Sequence, residues 1–414
     1  MAYRPHIPIK PMASEPQSAE RRAFLKIMAA SMALAGAGCS GPPQEVIVPY
    51  VRMPEKMIPG RPLYYATAFM HRGCAQGVLV KSDMGRPTKV EGNPHHPASL
   101  GATGVFAQAS VLQLWDPDRS QAVHRGNALS NRDAFKMALA AQRAAWDADG
   151  GAGLRILTGT VGSPTLEAQL AALLDRYPNA RWHCHDPLHD DAAFEAARLA
   201  FGRPVDMLYR FDHAALTVSF DADLFGDWPG AIRYARDFVQ GRRSDAPQFD
   251  KRLYALEATP GLLGAMADNR LAMPPHDIER TVWRIAARLG MTGLPSDMPH
   301  ASDTRAGRWE AVLAERLLRY RGASLLVAGG SMSARTRALV HRMNAYLGNV
   351  GKTVIPIAPV EARAQNHAES LAALVDEMRA GAVTSLVMFD VNPAYDAPAD
   401  TGFEQALRQV PFSV

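Results

Sequence analysis

Gly85-Arg-Pro-Thr-Lys-Val-Glu-Gly-Asn-Pro-His-His-Pro97 combines a turn glycine, a short alternating run and a Gly-Asn-Pro break. Within it Thr88-Lys-Val-Glu91 is preceded by Gly77-Val-Leu-Val-Lys81, and the two runs flank Ser82-Asp-Met-Gly85. Apolar alternation on both sides of a glycine-containing turn predicts a β-hairpin. Upstream, Pro42, Pro43, Pro49, Pro54, Pro59 and Pro62 predict an irregular connector. Downstream the rhythm changes to short apolar runs separated by helical patterns. Leu154 to Leu157, Leu216 to Phe220, Leu253 to Leu256, Ser324 to Ala328 and Ser385 to Phe389 read as buried parallel strands. Asp133 to Trp146, Leu166 to Arg176, Asp190 to Ala200, Ala231 to Val239 and Ser333 to Leu347 carry apolar residues at helical spacing, the first with Ser130 as its cap.

This alternation predicts an α/β fold, with a small β-rich N-terminal domain followed by doubly wound parallel-sheet domains. The chain of 414 residues, 47% apolar, is long enough for two or more domains. Residues 1–45 read as a signal and connector, 46–120 as the β-rich domain and 121–414 as the α/β domains. Val410-Pro-Phe-Ser-Val414 follows a helical stretch as though a strand had just begun, which predicts truncation at the C-terminus.

The formal net charge of +4 is concentrated at the start. Arg4, Lys10, Arg21, Arg22 and Lys26 against Glu15 and Glu20 place +3 of it before Cys39. The remainder is nearly neutral and lacks a basic face with interleaved aromatics, so nucleic acid is not an expected partner. In Glu20-Arg-Arg-Ala-Phe-Leu-Lys26, the residues Arg21, Arg22, Phe24 and Leu25 form the pattern of a twin-arginine export signal, followed by a modest apolar run from Ile27 to Ala35. That run is shorter than the roughly 20 apolar residues needed to span a bilayer. Leu34-Ala-Gly-Ala-Gly-Cys39 fits a lipoprotein processing site with Cys39 as the acylated residue, while cleavage after Ala35 or Ala37 is the alternative. The expected location is the periplasmic side of the cytoplasmic membrane, with a lipid anchor if Cys39 is acylated.

Gly85 to Pro97, continuing to Leu114-Trp-Asp-Pro-Asp-Arg-Ser120, resembles the N-terminal domain of the dimethyl sulfoxide reductase family of molybdopterin oxidoreductases. Ala200-Phe-Gly-Arg-Pro204, Ala328-Gly-Gly330, Asn349-Val-Gly-Lys352 and Asn392-Pro-Ala-Tyr-Asp-Ala-Pro398 resemble its later α/β domains. The family pattern implies four cysteines around the first hairpin and the Asn-Pro turn, holding a [4Fe-4S] cluster. This chain has Cys39, Cys74 and Cys184 in total, and Gly101 to Ala107 contains none. No molybdenum ligand is assigned, and Phe389-Asp-Val391 stands where active relatives place a glycine before Asn-Pro.

The twin-arginine leader, the lost cluster cysteines and Asn392 to Asp400 together resemble one branch, the large iron–sulfur subunit of alternative complex III. That resemblance implies a cofactor-free structural subunit of a membrane-associated respiratory, quinol-oxidising electron-transfer complex. Its partners would be membrane quinol-oxidising and cytochrome subunits, and iron–sulfur clusters are expected only in a C-terminal part that this sequence lacks. The alternative is an active oxidoreductase carrying molybdenum bis-pterin guanine dinucleotide.

A further alternative is a periplasmic metal-binding protein. His183-Cys-His185 with His189, Asp190 and Asp191 is the densest set of metal-ligand types in the chain. On a strand His183 and His185 share one face and Cys184 takes the other, so the three diverge and a polar strand end is the reading adopted. His95-His96 reads as structural, and the glycine-rich pieces Gly159 to Pro164 and Ala328 to Ser333 as tight strand-to-helix turns, since neither completes a phosphate-binding fingerprint. No catalytic or metal-ligating residue is assigned, and the cofactor-binding residues remain unknown.

Overall fold

Strands buried on both faces need helices on both faces, and the apolar runs supply alternate residues to each side. The computed structural model describes residues 57–243, 251–295 and 305–414, with Ala23, Leu25, Lys26, Met28 and Ala29. Leu25 is helical and exposed. Arg21, Arg22, Phe24 and Cys39 lie outside the described residues. Residues 58–414 form one compact unit, the subject of the description below.

Its first layer is a three-stranded antiparallel sheet of β1 (Leu63–His71), β2 (Cys74–Asp83) and β3 (Arg86–Gly92). The β2–β3 hairpin is the one read from Ser82-Asp-Met-Gly85. Its turn holds Met84 at φ 51° and Gly85 at φ 82°, and the ladder slips between Lys81 and Ser82. β1 was not legible, because Leu63-Tyr-Tyr-Ala-Thr-Ala-Phe-Met-His71 is apolar at most positions and offers no alternation. Helix α1 (Val105–Gln113) covers this sheet, and Val78, Val90 and Ala107 form a small core there.

A short hairpin of β4 (Val123–Arg125) and β5 (Ala128–Ser130) leads into α2 (Arg132–Asp149). The cap of α2 is Asn131, whose Oδ1 accepts from the amides of Asp133 (3.1 Å) and Ala134 (2.9 Å). Ser130, the expected cap, is instead held in the β5 ladder opposite Val123.

The remaining chain builds two parallel sheets. The first contains β6 (Leu154–Thr158) and β7 (Arg181–Cys184), joined through α3 (Pro164–Arg176). The chain then leaves through α4 (Asp191–Phe201) and β8 (Asp206–Tyr209) to make the second sheet. That sheet comprises β9 (Leu216–Phe220), β10 (Arg252–Glu257), β11 (Asn269–Ala272) and β12 (Ser324–Ala328), in the order β11-β10-β9-β12. The helices in this part are α5 (Ala231–Gln240), α6 (Leu262–Ala265), α7 (Pro275–Arg288), α8 (Arg305–Arg319) and α9 (Ala334–Tyr346). β13 (Val354–Ile357) pairs antiparallel with β8. The chain then returns through α10 (His367–Arg379) to β14 (Ser385–Phe389) and β15 (Phe412–Ser413), completing the first sheet as β15-β14-β6-β7. Every pairing within these two sheets is parallel.

The five apolar runs read as strands are β6, β9, β10, β12 and β14, with bounds within one residue of the expectation. Packing follows their pleat. Tyr254 and Leu256 of β10 join Leu216, Val218, Phe220 and Leu326 in one core, whereas Leu253 and Ala255 face the other side with Leu325, Val327 and Phe238. In the first sheet Leu157 and Leu386 pack under α10, while Ile156 lies with Leu170 and Trp182 on the opposite face. No helix among the described residues is long and apolar enough to cross a membrane. Phe220 is fully buried where β9 meets β10 and β12. Phe220→Ala should destabilise the fold by about 3–5 kcal/mol in denaturant unfolding, because the removed ring leaves a cavity between two layers.

Candidate functional site

In doubly wound sheets ligands bind beyond the carboxyl ends of the strands, where the following helices point their first amides. Three features of this chain meet at that edge: the tip of the β1–β2 hairpin, the glycine-rich turns, and a group of histidines and carboxylates.

The hairpin tip is Arg72-Gly73, with Arg72 at φ 49° and Gly73 at φ 72°. Arg72 donates from Nη2 to Leu188 O (3.0 Å), in the segment after β7, and from Nη1 to Asp227 O (2.9 Å), in the segment after β9. His71 Nε2 lies 2.6 Å from Asp227 Oδ1. The turn after β6 closes over the tip so tightly that a Cβ at Gly162 would overlap the Gly73 carbonyl oxygen. A Cβ at Gly329, in the turn after β12, would likewise overlap the backbone of Asp221. Both glycine-rich pieces are therefore tight strand-to-helix turns. Asn93 and His96 close their own turn: Asn93 Oδ1 accepts from His95 N (3.0 Å), His96 Nδ1 accepts from Ala98 N (3.3 Å), and the His96 ring covers Gly77.

The two sheets end alike. Phe220-Asp221 finishes β9 and Phe389-Asp390 finishes β14, with φ 55° at Asp221 and 53° at Asp390, the left-handed conformation that glycine adopts most freely. At Asp390, two residues before Asn392, a carboxylate-bearing residue thus takes a backbone shape suited to glycine. Asp221 Oδ1 accepts from Ala258 N (2.9 Å), and Ser331 donates its hydroxyl to the other oxygen.

Phosphate groups of a pterin nucleotide would need free helix amides at this edge. Several are taken by the chain's own carboxylates. Asp191 accepts from His367 N (2.7 Å) and Ala368 N (3.2 Å) at the start of α10. Asp223 accepts from Leu262 N (3.0 Å) and Leu263 N (2.8 Å) at the start of α6, and Glu279 from Ser333 N (3.0 Å) ahead of α9. Asp190 caps α4 through Ala193 N (3.1 Å) and is paired at 2.7 Å with the buried guanidinium of Arg337. An incoming phosphate at these positions would meet anions, so these residues do not fit a nucleotide cradle. Nor do the thiols fit a cluster of four thiolates. Cys74 is half-buried at the hairpin, and Cys184 is buried on β7 beside the Thr158 hydroxyl, 3.9 Å away.

Cys184 faces away from His183 as the strand pleat requires, and His183 and His185 take separate partners. His183 Nδ1 donates to Ser370 O (3.0 Å) and its Nε2 lies 3.8 Å from Glu377, which also binds Arg155 and Arg181. Burial lowers the His183 pKa against the pull of Glu377. His185 Nε2 pairs with Asp396 Oδ1 at 2.9 Å, so the Asn392 to Asp400 motif reaches the same edge. His189 turns elsewhere, toward Asp191, Glu361 and His367. Burial alone would depress His189, but its hydrogen bond to Asp191 and the close Glu361 carboxylate prevail and raise it to about 9. Glu361 and Asp191 are correspondingly held below the usual carboxylate range: burial raises each, and the facing imidazoles, with two backbone amides at Asp191, outweigh it. Glu361 and His367 carry no sequence signal, since they stand in a nonrepeating loop and a helix start far from His189.

No protein-family model matches the chain. A curated relative, the menaquinone reductase molybdopterin-binding-like subunit of Nitratidesulfovibrio vulgaris, is 23% identical over 377 residues, covering 82% of this chain and 53% of the relative. Acetylene hydratase from Pelobacter acetylenicus superimposes with a TM-score of 0.60 at 10% identity, over 84% of this chain and 60% of that one. The chain therefore has the molybdopterin-oxidoreductase fold, and its sequence is similar to that of the molybdopterin-binding-like subunit. It spans about half the length of the curated relative it matches.

Burial pushes the Cys184 thiol up to about 11, with the Thr158 hydroxyl opposing weakly. About 0.1% of it is thiolate at pH 8, and that fraction grows about tenfold for each unit by which the pH rises toward 11. Iodoacetamide at pH 8 should therefore leave Cys184 unmodified in the folded protein and label it in denaturant, as read by peptide mass spectrometry.

Proposed function

We propose that this chain is a cofactor-free, molybdopterin-oxidoreductase-like structural subunit of a membrane-associated respiratory electron-transfer complex that reacts with quinone or quinol. The observation that carries this reading is the set of carboxylates, Asp191, Asp223 and Glu279, that occupy helix amides of the kind a phosphate would need. The shortage of thiolates supports it, and so does the likeness to a subunit whose own name is molybdopterin-binding-like within a menaquinone reductase. Its finer placement, as the molybdopterin-like part of the iron–sulfur subunit of alternative complex III, rests on the leader, the lost cysteines and Asn392 to Asp400. In that role the chain would dock membrane quinone-reactive and cytochrome subunits, and clusters would reside in other parts of the assembly. Arg21, Arg22, Phe24 and Leu25 would route it to the periplasmic side of the cytoplasmic membrane, and Cys39 would carry a lipid anchor.

Metal and nucleotide analysis of the exported protein separates this reading from its rival. A scaffold should contain neither molybdenum nor releasable guanine nucleotide, and stoichiometric amounts of both would make it an active bis-pterin enzyme instead. Export has its own test. Arg21→Lys combined with Arg22→Lys should retain the protein in the cytoplasm on cell fractionation, and unchanged export would disprove the twin-arginine route.

A further inference from the structure

His189, Glu361 and His367 come from three separate segments: the stretch before α4, the loop after β13 and the first residue of α10. Among the described residues they form the one group of three or more His, Cys, Asp or Glu side chains whose ligating atoms converge, all within 4.8 Å of one another. Glu361 Oε2 lies 3.4 Å from His189 Nε2 and 3.6 Å from His367 Nε2. Donor atoms around a tetrahedral zinc ion stand about 3.3 Å apart, given metal–ligand bonds of about 2.0–2.1 Å, so the carboxylate already sits near coordinating distance of both rings.

The group is also withdrawn from water, with side-chain exposures of 12% for His189, 15% for Glu361 and 2% for His367. Glu361 Oε2 and both ring nitrogens of His367 are buried with no hydrogen-bond partner. Buried polar atoms left without partners are destabilising, and a cation shared by the three side chains would relieve the carboxylate oxygen and one imidazole nitrogen together. Behind the group stands Asp191. Its Oδ1 lies 2.8 Å from His189 Nδ1, which fixes the ring with Nε2 toward Glu361, and the same carboxylate accepts from His367 N. A carboxylate bound to the far nitrogen of a histidine is the usual outer support of a metal-ligating imidazole.

We propose that His189, Glu361 and His367 bind a divalent cation of the zinc type, with Asp191 as the positioning residue behind His189. Two imidazoles and one carboxylate favour zinc over magnesium or calcium, and they leave a fourth position for water or an external donor. The rings are now stacked, with centroids 3.7 Å apart and planes 7° from parallel. Lone pairs in parallel planes run side by side, so coordination tilts one ring out of the stack. The bound ion would pin the loop that carries the chain from β13 back to α10.

The test uses the full chain, stripped with a chelator and titrated with zinc chloride by calorimetry and with cobalt chloride by visible absorption. Saturable binding of a single zinc ion is expected, with the intense visible bands of four-coordinate cobalt. Glu361→Gln and His367→Asn should each weaken binding by more than tenfold, and Asp191→Asn by about tenfold, whereas His183→Gln should leave it unchanged. Absence of saturable zinc binding, or six-coordinate cobalt bands in the wild type, would overturn the proposal whether or not the variants fold. So would unchanged affinity in folded Glu361→Gln and His367→Asn, or a loss in His183→Gln equal to theirs.

Discussion

A helix that follows a parallel strand presents its first amides at the carboxyl edge of the sheet, and those donors must be satisfied by something. In this chain the answer comes from inside. Asp191, Asp223 and Glu279 fill the amides of α10, α6 and the turn before α9, each from a segment distant in sequence. The arrangement occupies donors that a ligand could otherwise use, and it ties segments distant in sequence to one another. Arg337 extends the same logic between the sheets, since it sits on α9 and grips Asp190 at the cap of α4.

Much of the architecture was legible because it rests on strand burial. Five runs of apolar residues too short for helices sit between helical patterns, and each became a strand within a residue of its expected limits. The elements that were missed lack that signature. β11 is Asn269-Arg-Leu-Ala272 at a sheet edge, and β8 is Asp206-Met-Leu-Tyr209, paired to β13 rather than to either large sheet. Neither is buried on both faces, so neither needs an unbroken apolar run.

The edge chemistry was only partly legible. The divergence of His183 and Cys184 followed from the strand pleat alone, and the tightness of the glycine turns followed from their position between strand and helix. Convergence of His189 with Glu361 and His367 did not, because it depends on the chain leaving the first sheet after β7 and returning before β14, with the whole second sheet between. Sequence spacing cannot report a meeting of residues set by so long an excursion.

That same excursion gives the hairpin tip an unusual place in folding. Arg72 binds Leu188 and Asp227, residues 116 and 155 positions further along the chain, one beside each parallel sheet. During synthesis the three-stranded sheet emerges first, but its docking surface does not exist until segments of both later sheets have formed. Contacts of such separation form slowly, because the loop entropy is spent before they reward it. The seat of the N-terminal sheet is thus shared between two later parts of the chain, so this small sheet acts as a clasp across segments that belong to different sheets.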